Sequence, residues 1–323
     1  MGILKRKKAQ TQSVGAEIEY PNEFRRQLCI QGQLAEEMIN KHIKGNRIQL
    51  DSLRIRTEKI EQIYIVGNSD YYPLALLFSH NFEAICDIHT SAYLLSEFCC
   101  DRLVMGRKTL VILLAETGEE GEVAKRVKDA KAAYVFINDL IEEKAALSIP
   151  VAEYTLRYIM LTLIALYIGR KNQSLTELYY KLAVTALKNL RKSINDIMKN
   201  ESYILSVADG MPAKGLVITG RNVDFATAVY VSNLFTSALG SDVRALPSGE
   251  LGRIIGRDNI IALASNDSFW GLLPDERYTL KIAPLSCTDS ADSICYQSLL
   301  PLLNPLLCAI IGQIIAYSII YNT

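Results

Sequence analysis

Three short turns place carboxylates, hydroxyls and amides where an apolar run gives way to a helical pattern: Gly67-Asn68-Ser69, Glu116-Thr117-Gly118-Glu119-Glu120 and Val151-Ala152-Glu153-Tyr154-Thr155. In a doubly wound fold ligands gather at such turns, because helix N-termini offer unpaired N–H groups to phosphate and other anions. Asn68, Ser69, Thr117 and Gly118 are candidate ligand contacts through amide, hydroxyl and backbone N–H groups. Glu116, Glu120 and Glu153 read in two ways. At helix starts they complement the macrodipole and cap free N–H groups, each for about 0.3–1 kcal/mol. As the lining of a pocket they favour a cationic or neutral ligand and oppose phosphate by like charge. Glu250, in Ser248-Gly249-Glu250-Leu251, is either a solvated turn residue or a further ligand contact, and Asn222-Val223-Asp224 is a second candidate turn by analogy. No turn spells G-x-G-x-x-G or a P-loop.

Metal and thiol chemistry have weaker support. The three histidines, His42, His80 and His89, form no H-x-x-x-H pair, and the seven cysteines include no C-x-x-C, so no metal site is expected. An odd number of cysteines without disulfide spacing reads as small buried side chains in a reducing, cytoplasmic compartment. No cofactor is expected, and no side-chain pattern by itself identifies catalytic residues.

These turns need a scaffold of strands and helices, which the apolar pattern supplies. The 323 residues allow two domains, 50% are hydrophobic, and 35 Lys+Arg balance 35 Asp+Glu. A neutral chain argues against a nucleic-acid partner held by phosphate contacts and against attraction to an anionic membrane. Strands are expected at Gln62–Val66, Glu83–Ile88, Thr109–Ala115 and Ala133–Ile137, with a charged helix over Glu119–Lys131 between the last two. An almost wholly apolar helix follows over Val151–Gly169, then an amphipathic one over Leu175–Met198. A second block opens at Gly215–Gly220, continues through a helix to Leu239, and adds strands at Asn259–Ala264 and Tyr278–Ala283. Two strand-Gly-helix openings about 150 residues apart, at Gly67 and Gly220, read as an internal duplication. Leu299–Tyr321 is long enough to span a membrane, but Pro301, Asn304, Pro305, Gly312 and Gln313 interrupt it, and it reads as a buried core helix. The expected organisation is a basic mobile tail over 1–16, a first domain over 17–170, a linking helix over 171–210 and a second domain over 211–323.

In order and spacing, these segments resemble the sugar isomerase (SIS) family in its double-SIS form, the isomerase domain of glutamine–fructose-6-phosphate aminotransferases (glucosamine-6-phosphate synthases) and related deglycases and deaminases. Glu17-Ile18-Glu19-Tyr20-Pro21 is similar to its E-I-x-E-Q-P lead-in, Val66-Gly67-Asn68-Ser69 to its C-G-T-S turn, and Gly220-Arg221 to the G-R that opens its second domain. Ser248-Gly249-Glu250-Leu251 resembles its G-E-L-K-H-G segment, and Gly312-Gln313-Ile314-Ile315-Ala316-Tyr317 its P-L-Q-L-L-A-Y helix. The resemblance implies an α/β fold of two SIS-like doubly wound domains, each a mainly parallel sheet sandwiched by helices. It also implies a homodimer, a sugar or amino-sugar derivative as ligand, and a separate amidotransferase or pathway enzyme as a possible partner.

The family's functional positions are largely replaced. Its S-x-S-G-E-T phosphate loop corresponds to Ala115–Glu120 and its V-A-S-T-K segment to Val151–Thr155. Counted from Arg221, its catalytic Glu and His positions carry Ser237 and Arg253. Serine is no enediol base, and arginine is too basic to shuttle a proton near neutrality. The family's Schiff-base lysine lies in a basic tail for which this sequence, ending at Thr323, shows no counterpart. The leading expectation is a carbohydrate-derivative-binding protein without the isomerase chemistry. An active phosphosugar isomerase, deaminase or deglycase is the first alternative, and a purely structural dimerisation partner the second.

Overall fold

The computed structural model describes residues 23–50, 53, 59–100, 102–138, 151–209, 215–239, 243–253, 259–266, 273, 279–287 and 293–321. The 17–21 lead-in and the basic tail lie outside these residues.

Helix α1 (Glu23–His42) leads into a small antiparallel hairpin, β1 (Ile43–Lys44) and β2 (Arg47–Ile48). The first parallel sheet holds β3 (Gln62–Gly67), β4 (His89–Leu94), β5 (Thr109–Leu114) and β6 (Ala133–Phe136) in the order β4-β3-β5-β6. Between these strands run α2 (Tyr72–Cys86), the short α3 (Leu95–Cys100) and α4 (Gly121–Ala130). Three helices follow, α5 (Val151–Lys171), α6 (Glu177–Lys199) and α7 (Glu201–Ala208). The second parallel sheet contains β7 (Leu216–Gly220), β8 (Arg244–Pro247), β9 (Asn259–Leu263), β10 (Thr279–Pro284) and β11 (Ser293–Tyr296) in the order β11-β10-β9-β7-β8. Helix α8 (Val223–Leu239) follows β7, and α9 (Asn304–Tyr321) ends the described chain.

The apolar runs become parallel strands because both faces of each sheet are covered. Alternate residues then feed opposite cores. Ile63, Ile65, Leu110 and Ile112 point into the large core, while Tyr64, Val66, Val111 and Leu113 enter a second cluster on the other face. In the second sheet Ile218, Ile261 and Ile282 face the large core, and Ile260, Ala262 and Ala283 face a small cluster with Leu251. The large core runs unbroken through both halves, with α2, α5, α8 and α9 packed together inside it. Helix α5 is apolar and long enough to cross a membrane, yet 89% of its most hydrophobic window is buried within the protein. Helix α9 is likewise buried from Asn304 to Ala316.

One expected strand is different. Residues 83–86 are the last turn of α2, which closes at Asp87 in the left-handed region (φ 54°) with its N–H bonded to the Glu83 carbonyl, and the strand starts at His89. Phe78, Phe82 and Ile85 continue the helix's buried face, and that longer pattern overrides the short Ile85–Ile88 run. Two short edge strands, β8 and β11, and helix α3 were not anticipated from the sequence.

Candidate site at the first sheet

The three turns meet at the C-terminal end of the first sheet. Strand β3 ends at Gly67, where a Cβ would lie 2.8 Å from the Tyr71 carbonyl carbon and from the Tyr72 nitrogen. Only glycine lets the turn pass so close to the start of α2. Asn68 then ties the turns together. Its N–H donates to the Leu114 carbonyl (3.1 Å), its Oδ1 accepts from the Tyr71 N–H (3.2 Å), and its Nδ2 donates to Glu119 Oε2 (3.0 Å).

Beyond β5, the loop supplies acceptors to its own donors. Glu119 Oε2 accepts from the Glu116 N–H at 2.8 Å, and Glu120 Oε2 accepts from the Gly118 N–H at 2.5 Å, where Gly118 sits at φ +106°. Two backbone amides of this loop are therefore occupied by carboxylates of the same loop. The hydroxyls of Ser69 and Thr117 are exposed and have no hydrogen-bond partner among the described residues.

Behind the loop lies a closed ring of polar contacts. The Tyr71 hydroxyl is within hydrogen-bond distance of Glu116 Oε1 (2.9 Å) and Glu153 Oε2 (2.7 Å). Arg157, one turn further along α5, donates to Glu153 Oε2 at 2.5 Å and to Asn138 Oδ1 at 2.9 Å. Asn138 donates to the carbonyl of Ala115, next to Glu116, at 2.9 Å. The Arg157 guanidinium also lies over the Tyr71 ring, 3.9 Å from its centroid. Tyr71 is 1% exposed. Burial pushes its hydroxyl well above the usual phenol range, Arg157 opposes this, and the Glu153 and Glu116 carboxylates add to it. Tyr71 therefore acts only as a neutral donor.

Glu116, Glu153 and Glu120 thus take separate parts. Glu116 and Glu153 share Tyr71, Glu153 is also paired with Arg157, and Glu120 turns back on Gly118. Tyr71, Asn138 and Arg157 were not singled out from the sequence. The Glu153–Arg157 spacing in an otherwise apolar helix was a readable i,i+4 signal, whereas nothing local marks Tyr71 or Asn138.

The remaining candidates belong to the second half. Glu250 lies half-buried on the 3₁₀ turn Ser248–Arg253 after β8, which also carries Arg253. Ser237 is exposed on α8, and its hydroxyl donates to the Asn233 carbonyl of the same helix at 3.0 Å. Asp224 is buried and accepts from the Ser265 N–H at 2.9 Å, joining the first turn of α8 to the end of β9. At Gly220 a Cβ would come within 2.4 Å of the Asp224 backbone, repeating the close strand–helix approach of Gly67.

No protein-family profile matches the chain. Glutamine–fructose-6-phosphate aminotransferase [isomerizing] of Caldanaerobacter subterraneus subsp. tengcongensis is 25% identical over 255 residues, covering 71% of this chain and 42% of that protein. The chain thus spans less than half the length of that relative. Among solved structures, the C-terminal domain of glucosamine-fructose-6-phosphate aminotransferase from Francisella tularensis superposes with a TM-score of 0.82 at 17% identity, covering 93% of this chain and 96% of that one. Glucosamine-6-phosphate deaminase from Thermotoga maritima gives a TM-score of 0.65 at 13% identity, covering 93% and 95%. With two helix-flanked parallel sheets and site turns at the C-terminal end of the first, the chain has the double-SIS fold and resembles the C-terminal domain of glutamine–fructose-6-phosphate aminotransferase.

Proposed function

We propose that this chain binds an unphosphorylated or amine-bearing sugar derivative at the first-sheet site and lacks the proton-transfer chemistry of the double-SIS isomerases. The observation that carries the reading is the occupation of the Glu116 and Gly118 amides by Glu119 and Glu120. A phosphate entering the loop would have to displace two carboxylate hydrogen bonds, each worth about 1.5–3 kcal/mol. It would then face like charge costing up to about 4 kcal/mol per contact at 4 Å and an effective dielectric of 20. What the loop offers instead is carboxylate oxygen, from Glu116 above all, and the Ser69 and Thr117 hydroxyls. Such groups accept hydrogen bonds from sugar hydroxyls and attract an ammonium.

The loss of isomerase chemistry rests on Ser237 and Arg253, since general acid–base groups contribute about 10²- to 10⁴-fold each. On its likeness to the relatives above, we also propose a two-domain, homodimeric, cytoplasmic protein with a regulatory or scaffold role. Calorimetry in metal-free buffer tests the reading, with glucosamine and glucose compared against glucosamine-6-phosphate and fructose-6-phosphate. Tighter binding of the unphosphorylated ligands without turnover is the expected result. Tight phosphosugar binding, or robust turnover in a coupled assay, would overturn it in favour of an active phosphosugar isomerase.

A further inference from the structure

A second concave site lies in the other half of the molecule, away from the first-sheet turns. Helix α6, the α6–α7 junction and the edge strand β11 border a half-open cavity of about 710 Å³. That volume falls within the roughly 300–1,000 Å³ typical of small-molecule sites. Its apolar lining comes from four elements, with Ile197 on α6, Ile204 on α7, Ile294 on β11, Leu299 after it and Ile311 on α9. Ile204, Ile294 and Ile311 are almost fully buried, so this wall is fixed by core packing. Tyr203 and Leu285, two of the large apolar side chains that the described surface leaves more than half exposed, stand on the same cavity.

The charged lining of the cavity itself is one cation and one anion, Lys192 and Asp196. Asn189, Lys192, Asp196 and Asn200 come from α6 and its end. Asp196 is paired with Lys199 at 3.1 Å, whereas Lys192 forms no ion pair among the described residues. Lys192 also borders a shallower depression of about 270 Å³ whose lining adds Lys188, Arg191 and Lys199 against Glu36 and Asp196. The junction of the two hollows is therefore net positive, beside an aliphatic wall. Neutral sugars match the wall poorly, and a cation is repelled at the rim.

We propose that this cavity is a binding site for an amphipathic organic anion, with an aryl or branched-alkyl body against Ile197, Ile204, Ile294 and Ile311 and a single anionic head at Lys192. The inference does not depend on the sugar-site reading. The probe is 8-anilinonaphthalene-1-sulfonate, an aryl body with one sulfonate, titrated by fluorescence and calorimetry against the folded chain, with the neutral N-phenyl-1-naphthylamine alongside. One saturable sulfonate site is expected. Lys192→Glu should weaken it roughly three- to tenfold, as expected for reversing a partly exposed charge, and change the neutral probe's binding little. Ser193→Trp, which fills the cavity from its helical wall without entering the core, should weaken both probes. Lys128→Glu on α4, in the first half, serves as the control and should change neither. Circular dichroism melts confirm that each variant is folded. No saturable binding, or binding that survives both Lys192→Glu and Ser193→Trp in folded protein, would overturn the proposal.

Discussion

Removing the guanidinium that closes the polar ring behind the loop, with Arg157→Met, has a calculable consequence. The Arg157 side chain is 4% exposed and Glu153's is 17%, so the pair lies largely out of water. Methionine keeps most of the buried stem but deletes the bonds to Glu153 and Asn138 and the contact with the Tyr71 ring. Glu153 would then have only the Tyr71 hydroxyl to stabilise its carboxylate, beside a second carboxylate on the same hydroxyl. Breaking a buried pair from one side costs about 3–5 kcal/mol, because the remaining charge is left uncompensated. With an unfolding entropy of about 2.1 cal/mol/K per residue, 323 residues give about 0.7 kcal/mol/K, so the melting temperature should fall by about 4–7 °C. Calorimetric scans of Arg157→Met, Glu153→Leu and the double variant provide the check. The double variant should regain most of the loss, since apolar replacement of both partners removes the stranded charge. A single Arg157→Met variant melting within about 1 °C of the parent would refute the reasoning, since the pair would then be solvated enough to contribute little.

Three further outcomes follow from named contacts. Glu119→Ala combined with Glu120→Ala frees the Glu116 and Gly118 amides and should tighten fructose-6-phosphate binding at least about tenfold by calorimetry, with no turnover while Ser237 and Arg253 remain. Gly67→Ala drives a Cβ into the backbone at Tyr71 and should lose about 1–3 kcal/mol in urea unfolding, whereas Gly249→Ala, with open space around its Cβ position, should be near neutral. Burial pushes the Cys86 thiol from 9.0 up to about 12 and raises Tyr71, Tyr154 and Tyr158, so the native state holds protons that the unfolded chain releases. The stability these groups give is present below pH 9 and is lost as pH climbs toward 12; tyrosinate absorbance should show these tyrosines ionising only together with unfolding.

The fold was legible because its signals are long and redundant. Ile63–Val66 and Leu110–Leu114 are apolar without interruption, which suits strands covered on both faces, and Gly67 and Gly220 mark strand–helix turns that leave no room for a side chain. The site was legible only where neighbours in sequence are neighbours in space. Asn68, Glu116, Gly118 and Glu153 could be placed at helix starts, but what each carboxylate does depends on partners from other elements. Tyr71 opens α2, Asn138 follows β6 and Arg157 lies on α5, and only the packing of α2 against the sheet and of α5 against α2 brings them together. The edge strands β8 and β11 failed for the opposite reason. At four residues each, with one neighbour apiece, they carry too little periodicity to stand out.

The charge arrangement around Tyr71 bears on ligand chemistry beyond the occupied amides. A phenol has one proton to donate, yet two carboxylate oxygens stand at hydrogen-bond distance from it. Glu153 stands nearer that hydroxyl, at 2.7 Å against 2.9 Å, and is paired with Arg157, while Glu116 is the more exposed of the two. Arg157 against Glu116 and Glu153 leaves the ring one negative charge in excess, before Glu119 and Glu120 are counted. On the proposed reading a ligand that brings a hydrogen-bond donor, above all an ammonium, would complete this arrangement, whereas one that brings an acceptor or an anion would compete with it. The carboxylates of the loop, Glu116, Glu119 and Glu120, and Arg157 behind it therefore work in the same direction. Glu119 and Glu120 hold the loop through its own amides and Arg157 pairs with the innermost carboxylate, Glu153, which on the proposed reading leaves Glu116 to meet a ligand's donor.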